Sequence, residues 1–495
     1  MIRHEHPRRR WLEAALAAAA LWYLGSVLVI ALARIGYPYD LEWMEGGTLE
    51  HVARILSGQP LYVAPTLEFT PYIYAPLYYF VAAPVAKLFG LRLLSLRLVS
   101  FAASLGVLAL LAALVHRSTR SRLGALVAAG LFAALFKRSG AFFDLARVDA
   151  LALFFTLLGI WVLLASEKHD VVAGALLAAA FFTKQSALFI AAPVVLARAW
   201  SLRGPRRLQS VAAFAALAVG GSVLLHVRTH GWSTYYLFTL PASHPRVSAA
   251  WLGYWGGDLF AAVPIAMLAL AFVVAGATRL GAARPIVLAA VFGSLAASWS
   301  GRLHSGAYSN VLMPVYAVLA WQVGMVVGWL REPAPPSTLQ PGPKRGVVLA
   351  LAPWACLLQF ALLWFPPWRQ IPTAADRAAG AALVARLAAV PGPVLVPFHP
   401  HLARLAGKAT HAQQMALADV MRGGDRQVAD ALDADVRRRL RAREFAAVVV
   451  DDDWWRADLD ASYIRARTLF VDEPAVFMPR TGWQARPREI YEPRP

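Results

Sequence analysis

Apolar runs of about 20 residues recur along the chain, and they constrain its fold more than any other feature. The first covers about residues 11–35, and later ones cover about 208–228 and 307–330. A helix of about 20 apolar residues crosses the roughly 30 Å hydrocarbon core of a bilayer. Only 16% of the residues are charged, whereas soluble globular domains have about 25%. The sequence therefore predicts a polytopic membrane protein.

Basic loops orient the predicted segments. The N-terminal MIRHEHPRRR and the loop HRSTRSR at 116–122 are rich in Arg, and such loops stay in the cytoplasm. The first helix then exits near Tyr37, and the last one delivers residues 367–495 to the outside. We expect a multi-pass protein of the cell inner (plasma) membrane with about 11 segments, at about 11–35, 92–115, 122–136, 149–166, 171–183, 186–200, 208–228, 254–277, 284–301, 307–330 and 346–366.

Two stretches depart from the pattern of full spans. PLYYFVAAPVAKLFG at 76–90 is apolar but only 15 residues long, which suits an interfacial or re-entrant helix. The long run 171–200 is interrupted by FFTKQSA. A charge at Lys184 predicts two short helices that meet at a polar break, and broken helices are tolerated where they line a cavity.

The C-terminal part has a different pattern. Apolar strands such as GPVLVPF and FAAVVVDDD alternate there with helix-like stretches, which predicts a small α/β domain. The fold class is thus an all-α polytopic transmembrane bundle at 1–366, with a first outer loop at 36–91, and an extracytoplasmic α/β domain at 367–495. No phosphate loop, GxGxxG or catalytic triad spacing occurs in that domain.

The net charge of +19 does not indicate nucleic acid. Residues 1–366 hold 29 Lys and Arg against 13 Asp and Glu, whereas residues 367–495 hold 19 and 16. The excess lies in short membrane loops, so the expected partner is the bilayer and no nucleic acid.

Carboxylates and cations converge on the predicted outer face. The acids there are Asp40, Glu42, Glu45, Glu50, Glu68, Asp144, Asp149 and Asp258, and the cations are Lys137, Arg138, Arg147, Lys184, Arg302 and His304. Sugar transfer from a lipid-phosphate donor needs both kinds of group. A cation stabilises the charge that develops on the leaving phosphate, and a carboxylate takes the proton of the acceptor hydroxyl.

Four motifs occur in order, and a fifth follows. They are YDLEWMEGGTLEHVARILSGQPLY, TPYIYAPLYYF followed by LFG, LARVDALALFF, FFTKQSALFIAAP and HSGAYSNVLMP. In their order and topological side the chain resembles the GT-C superfamily of polytopic glycosyltransferases, which includes protein mannosyltransferases and the lipid A aminoarabinose transferase. The resemblance spans about residues 1–330.

The resemblance implies an inverting hexosyl- or pentosyltransferase. Its partners are a polyprenyl-phosphate or polyprenyl-diphosphate sugar donor and a lipid, glycan or protein acceptor. The first-loop base or site organiser falls on Asp40 or Glu45, and Asp149 matches the second acidic position. TPYIYAP lacks the Lys of the aminoarabinose-type enzymes. Expected substrate-binding residues are Glu42, Arg138, Arg147, Lys184, Gln185, Arg302, His304 and Asn310.

Metal dependence and a rival function stay open. The sequence identifies no definite cofactor; Asp40, Glu42 and Glu45 either hold a divalent cation through oxygen ligands or bind sugar and act as base. The single cysteine, Cys356, excludes an intrachain disulfide. A polytopic transporter or flippase for a lipid-linked or sugar substrate is the alternative, since broken helices and charges at membrane depth also mark transporters.

One helix of the first loop is expected to lie on the membrane. In EGGTLEHVARILSG the apolar residues form one stripe, which is typical of an interfacial amphipathic helix. The expected water-facing residues are Glu50, His51 and Arg54.

Overall fold

A computed structural model describes residues 7–331 and 343–495 of the chain. Helices make up nearly all of the region that precedes residue 367. They are α1 (Pro7–Arg34), α2 (Glu45–Leu56), α3 (Leu77–Phe89), α4 (Leu93–Thr119), α5 (Arg122–Ala134), α6 (Asp149–Ala165), α7 (Asp170–Thr183), α8 (Leu188–Ser201), α9 (Gln209–Arg228), α10 (Trp232–Thr234), α11 (Leu240–Ser243), α12 (Ala250–Gly253), α13 (Pro264–Ala275), α14 (Arg284–Leu303), α15 (Met313–Arg331) and α16 (Pro343–Leu362).

Within the described residues, five helices are long and apolar enough to cross a membrane, or up to seven if two bent pairs each count as one span. The sequence predicted about 11 segments. The difference arises mainly because α5, α6 and α7 have only 13, 17 and 14 residues, which is at or below the lower limit for a span. The short stretch at 76–90 forms the 13-residue helix α3, as expected.

Helix α15 is the most buried of the five long helices, and small residues let α5 approach it. A Cβ placed on Gly124 would lie 2.5 Å from the carbonyl oxygen of Gly324. Such close backbone contact is the usual role of small residues between membrane helices. The polytopic helical bundle predicted from the sequence is therefore confirmed.

A small mixed sheet and five helices follow the bundle. The sheet order is β1-β2-β4-β3; β1 and β2 run parallel, whereas β4 is antiparallel to both β2 and β3. Both predicted strands, in GPVLVPF and FAAVVVDDD, are present as β1 and β2. The elements are α17 (Ala374–Ala389), β1 (Val394–Leu395), α18 (Pro400–Leu405), α19 (Gln414–Met421), α20 (Arg426–Arg441), β2 (Ala447–Val450), α21 (Arg456–Ser462), β3 (Tyr463–Thr468) and β4 (Glu489–Pro493).

The first loop packs against this C-terminal region. The amide of Arg480 donates to the carbonyl of Leu41, and the amide of Ala412 donates to that of Leu67, each at 2.8 Å. Both parts therefore lie on the same side of the bundle. The domain boundary after residue 366 and the extracytoplasmic side remain predictions.

The packing also corrects one expectation about α2. Its Glu50 and His51 are buried, with relative exposures of 8% and 2%, and do not face water. Arg404 of α18 donates to Glu50 at 2.8 Å, and the ring of His51 accepts a hydrogen bond from the amide of Tyr72 at 2.8 Å. Only an interface formed by distant residues explains this burial, and the apolar stripe of α2 could not reveal it.

Candidate active site

Each of the eight acidic residues predicted on one face of the membrane has a basic partner. These pairs are Asp40–His399, Glu42–Arg147, Glu45–Arg97, Glu50–Arg404, Glu68–Arg439, Asp144–Arg34, Asp149–Lys184 and Asp258–Arg302. Since all eight are paired, we compare the hydrogen bonds that each residue makes and leaves unmade.

Asp40 lies between the first loop and the C-terminal region. Its Oδ1 accepts from the amide of Gly46 at 2.9 Å, and its Oδ2 faces His399 Nδ1 at 2.6 Å. The other ring nitrogen of His399 faces Asp451 at 2.8 Å. Burial opposes charge on this ring, but Asp451 and Asp40 outweigh it and raise the pKa of His399 to about 10. A charged imidazole that donates to two carboxylates thus clamps the two parts together.

Glu45 is more completely enclosed, with no exposed surface. Arg97 donates to both of its oxygens, at 2.9 and 2.6 Å. The amides of Leu41 and Ala146 supply two further bonds, at 2.8 and 2.7 Å. Burial alone would raise the pKa of Glu45, but Arg97 and these amides lower it. Catalytic roles for Asp40 and Glu45 remain predictions, and their geometry is that of residues that hold the loop.

Arg147 has unused hydrogen-bonding capacity. Its Nη2 donates to the hydroxyl of Tyr74 at 2.8 Å, and its guanidinium lies 5.1 Å from the centre of that ring. Nη1 lies 3.4 Å from Glu42 Oε2, yet Nη1 and Nε are buried and make no hydrogen bond with any described residue. Burial raises the pKa of Glu42 to about 7, against the opposing effect of Arg147.

Asp149, two residues later, has a hydrogen-bond acceptor without a partner among the described residues. Lys184 Nζ and Asn310 Nδ2 both donate to its Oδ1, at 2.5 and 2.9 Å. Its Oδ2 is buried and has no hydrogen-bond partner among the described residues. Lys184 has an extended backbone between α7 and α8, so the predicted polar break is confirmed.

A cleft beside Asp149 and Lys184 lies between α6, α8 and α15. One end carries charged and polar side chains, and most of the remaining wall is apolar. The lining residues are Asp149, Lys184 and Asn310 at the polar end, and Ala152, Leu153, Thr156, Ser186, Ala187, Ile190, Met313 and Pro314 along the rest. The cleft therefore combines a charged end with a mostly apolar wall.

The divalent cation considered at Asp40, Glu42 and Glu45 remains a prediction. Asp40, Glu42 and Glu45 turn to three different partners, His399, Arg147 and Arg97. Within residues 7–331 and 343–495, no group of three or more His, Cys, Asp or Glu side chains is arranged to hold a metal ion.

One family model matches part of the chain. The model of the family described as dolichyl-phosphate-mannose-protein mannosyltransferase matches residues 73–228, which include Arg147, Asp149 and Lys184. No curated protein sequence matches the chain.

Solved structures match over most of the chain. The apo structure of ArnT from Cupriavidus metallidurans is 15% identical, with a TM-score of 0.58, and the match covers 95% of this chain and 97% of that one. The same protein bound to undecaprenyl phosphate has the same identity and coverage and a TM-score of 0.56. The oligosaccharyltransferase AglB from Archaeoglobus fulgidus, in complex with an inhibitory peptide and a dolichol-phosphate, is 12% identical, with a TM-score of 0.52, coverage being 87% and 69%.

The chain has a GT-C fold. The resemblance seen in the motifs is thereby confirmed. In this GT-C fold, five of the predicted residues lie together through their side-chain contacts. They are Glu42, Arg147, Asp149, Lys184 and Asn310.

The other predicted residues lie outside this group. Gln185 donates to the carbonyls of Ile73 and Leu237, at 2.6 and 3.2 Å, and so ties two loops together. Arg302 is paired with Asp258 at 2.7 Å. Arg138 is exposed. His304 Nε2 faces His244 Nδ1 at 2.9 Å.

Sequence reasoning missed two residues near this site, Tyr74 and Asp419. Tyr74 lies in TPYIYAP, where the aminoarabinose-type enzymes have a Lys, and its hydroxyl accepts from Arg147. Asp419 lies in α19 beside the buried Ala416, Leu417 and Val420. An acidic residue within that apolar stripe was the available signal.

Proposed function

We propose that the chain is a glycosyltransferase that moves a sugar from a polyprenyl-phosphate-linked donor to an acceptor hydroxyl. One observation carries the proposal. Arg147 has two buried donors without hydrogen bonds, and Asp149 has one buried acceptor without a partner among the described residues. Buried polar atoms are nearly always satisfied, so atoms left open beside a cleft indicate groups that a ligand completes. An anionic oxygen and a hydroxyl are the matching ligands.

The donor would bind with its phosphate at Arg147 and Lys184. Guanidinium and ammonium groups make strong, charge-assisted bonds to phosphate oxygens, and they stabilise the charge that grows on the leaving group. The apolar wall of the cleft would hold the polyprenyl tail. The likeness to structures that contain undecaprenyl phosphate or dolichol-phosphate supports this placement.

In the reaction, the acceptor oxygen forms a bond to the anomeric carbon while the bond from that carbon to the phosphate oxygen breaks. The hydroxyl proton passes to Asp149 Oδ2, and the electron pair of the broken bond leaves with the phosphate. Lys184 and Asn310 both donate to Oδ1, which orients Oδ2. Attack from the face opposite the phosphate inverts the anomeric centre.

Binding of undecaprenyl phosphate to the protein in lipid nanodiscs tests the donor site. A bond to a charged group contributes about 1.5–3 kcal/mol, so Arg147→Gln should weaken binding by about ten- to a hundredfold. Arg404→Gln is the matched control, because Arg404 is also paired with a first-loop carboxylate. Unchanged affinity in Arg147→Gln would refute the assignment.

A sugar-transfer assay separates the proposal from its rival. A transporter or flippase would bind the lipid without cleaving the bond between sugar and phosphate. Release of undecaprenyl phosphate from a sugar-loaded donor, lost in Asp149→Asn, supports the transferase.

The site is proposed to face outward, with the C-terminal region on the same side. Labelling of Ser118→Cys and Glu473→Cys in a Cys356→Ser background tests this orientation. An impermeant thiol reagent applied to intact cells should label position 473 and leave position 118 unlabelled. The reverse result would contradict the orientation.

A further inference from the structure

Helix α19 of the C-terminal region reaches the outer loops of the bundle beside the proposed site. The side chain of Asp419 is only 1% exposed and pairs with Arg422. The backbone carbonyl of Asp419 lies 2.9 Å from His244 Nε2. Further along, the amide of Gly424 donates to the hydroxyl of Ser243 at 2.9 Å.

The two histidines below α19 form a directed hydrogen-bond chain. A carbonyl only accepts, so His244 Nε2 carries a proton and donates to Asp419. Burial lowers the pKa of His244 to about 4 and also lowers that of His304, so both rings are neutral at pH 7. His244 Nδ1 therefore accepts from His304 Nε2, at 2.9 Å.

The loop after α14 is shaped to receive Arg422. Gly306 has a φ of +83°, and a Cβ placed there would lie 3.1 Å from Arg422 Nη2. A glycine at this point satisfies both demands, because it adopts the left-handed backbone and leaves space for the guanidinium.

The loop that receives Arg422 continues to Asn310, whose amide donates to Asp149 at 2.9 Å, so α19 contacts a segment that forms part of the proposed reaction centre. Burial raises its pKa to about 6, while Arg422 and Arg147 oppose that rise. The charge on Asp419 in turn contributes to the raised pKa of Tyr74, whose hydroxyl accepts from Arg147. The charged and titratable groups that face Asp419 are therefore Arg422 on its own segment, and His244, Arg147 and Tyr74 on the bundle.

We propose that the active site is composite, and that α19 supplies its outer wall with Asp419 as a positioning residue. Asp419 holds Arg422 and His244 in place, and its carboxylate opposes a phosphate bound at Arg147, which favours release of the polyprenyl-phosphate product. This inference rests on the proposed function, because it takes Arg147 as the phosphate-binding residue.

Two substitutions in the Asp419–Arg422 ion pair test the proposal, because they should change the affinity for undecaprenyl phosphate in opposite directions. Affinity for undecaprenyl phosphate is measured in nanodiscs at pH 8. Asp419→Asn removes a negative charge and should tighten binding by about two- to tenfold. Arg422→Gln removes the cation that shields Asp419 and should weaken binding by a similar factor. A pair with only a structural role would change affinity in the same direction in both variants, and that result would overturn the proposal.

Controls separate charge from structure. Asp419→Glu keeps the charge and should retain wild-type affinity. Asp458→Asn should also bind like wild type, because Asp458 is a buried carboxylate paired with Arg437 and Arg441 in the same region. At pH 5 wild-type Asp419 is mostly protonated, so the difference between wild type and Asp419→Asn should disappear. A difference that persists at pH 5 would contradict the proposal.

The outcomes also separate this inference from the proposed function. If Arg147→Gln leaves affinity unchanged, the phosphate does not bind at Arg147 and the proposed function fails. If Arg147→Gln weakens binding but Asp419→Asn does not tighten it, only the composite site fails.

Discussion

Two buried ion pairs at the same face of the bundle, Glu45–Arg97 and Asp149–Lys184, differ in how many hydrogen-bonding atoms they leave without a partner. Around Glu45, four hydrogen bonds use both carboxylate oxygens, and Arg97 donates onward to the carbonyls of Tyr37 and Tyr39. Around Asp149 one carboxylate oxygen has no partner among the described residues, and neither do two nitrogens of Arg147. Both places hold a buried carboxylate beside a cation, but only Asp149 keeps an oxygen free for a ligand.

The largest expected effect is a loss of turnover when Asp149, whose Oδ2 has no partner among the described residues, is substituted. Asp149→Asn should lower sugar transfer by about 10²–10⁴-fold, the usual contribution of a general base. Binding of undecaprenyl phosphate should not weaken, because the cations that hold the phosphate are intact and a neighbouring negative charge is removed. Steady-state transfer assays and lipid titrations provide both values. Near-normal turnover in Asp149→Asn would place the base elsewhere and return attention to Asp40 or Glu45.

Substitution in the fully hydrogen-bonded pair Glu45–Arg97 should lower the stability of the protein. Glu45→Gln leaves Arg97 buried without a countercharge, which typically destabilises a protein by about 3–5 kcal/mol. Thermal unfolding in detergent should show a lower midpoint. Glu68→Gln is the control, because Glu68 is 61% exposed and exposed pairs contribute about 0–1 kcal/mol. If Glu45→Gln unfolds like wild type and loses only turnover, the contrast between the two pairs is wrong.

Lys184 sharpens the comparison, because its ammonium group either binds the donor phosphate or only balances the charge of Asp149. If it binds phosphate, Lys184→Gln should weaken undecaprenyl phosphate binding by about tenfold, and adding Asp149→Asn should not restore affinity. If it only balances Asp149, the double variant should bind like wild type. Titrations of both single variants and the double variant decide between these roles.

The smallest expected effect concerns the clamp at His399, whose folded pKa is raised to about 10. A raised pKa contributes stability that is fully present below the unfolded value of about 6.5 and is lost as the pH rises through 10. Between pH 6.5 and 10 the wild-type unfolding midpoint should therefore fall by several degrees more than that of His399→Gln. Parallel pH dependences would show that the clamp does not couple the two regions.

The sequence predicted what local pattern controls. Apolar runs gave the bundle, the charge at Lys184 gave the break between α7 and α8, and strand alternation gave β1 and β2. The position of Asp149 at the start of α6 also agrees with the motif LARVDALALFF.

Pairings between distant residues could not be predicted in this way. Asp40 and His399 are 359 positions apart, and no periodicity links them. Arg97 did carry a signal, as a charge within the apolar run at 92–115, but nothing local shows that Glu45 is its partner. The open atoms of Arg147 and Asp149 emerge only once every neighbouring donor and acceptor has been placed.

A structure of the protein in a lipid nanodisc with bound undecaprenyl phosphate tests the central claim most directly. We expect the phosphate within hydrogen-bond distance of Arg147 Nε or Nη1 and close to Lys184, with the polyprenyl tail along Leu153, Ile190 and Met313. A phosphate bound instead beside Arg138 or Arg302, with the cleft at Asp149 empty, would contradict the account.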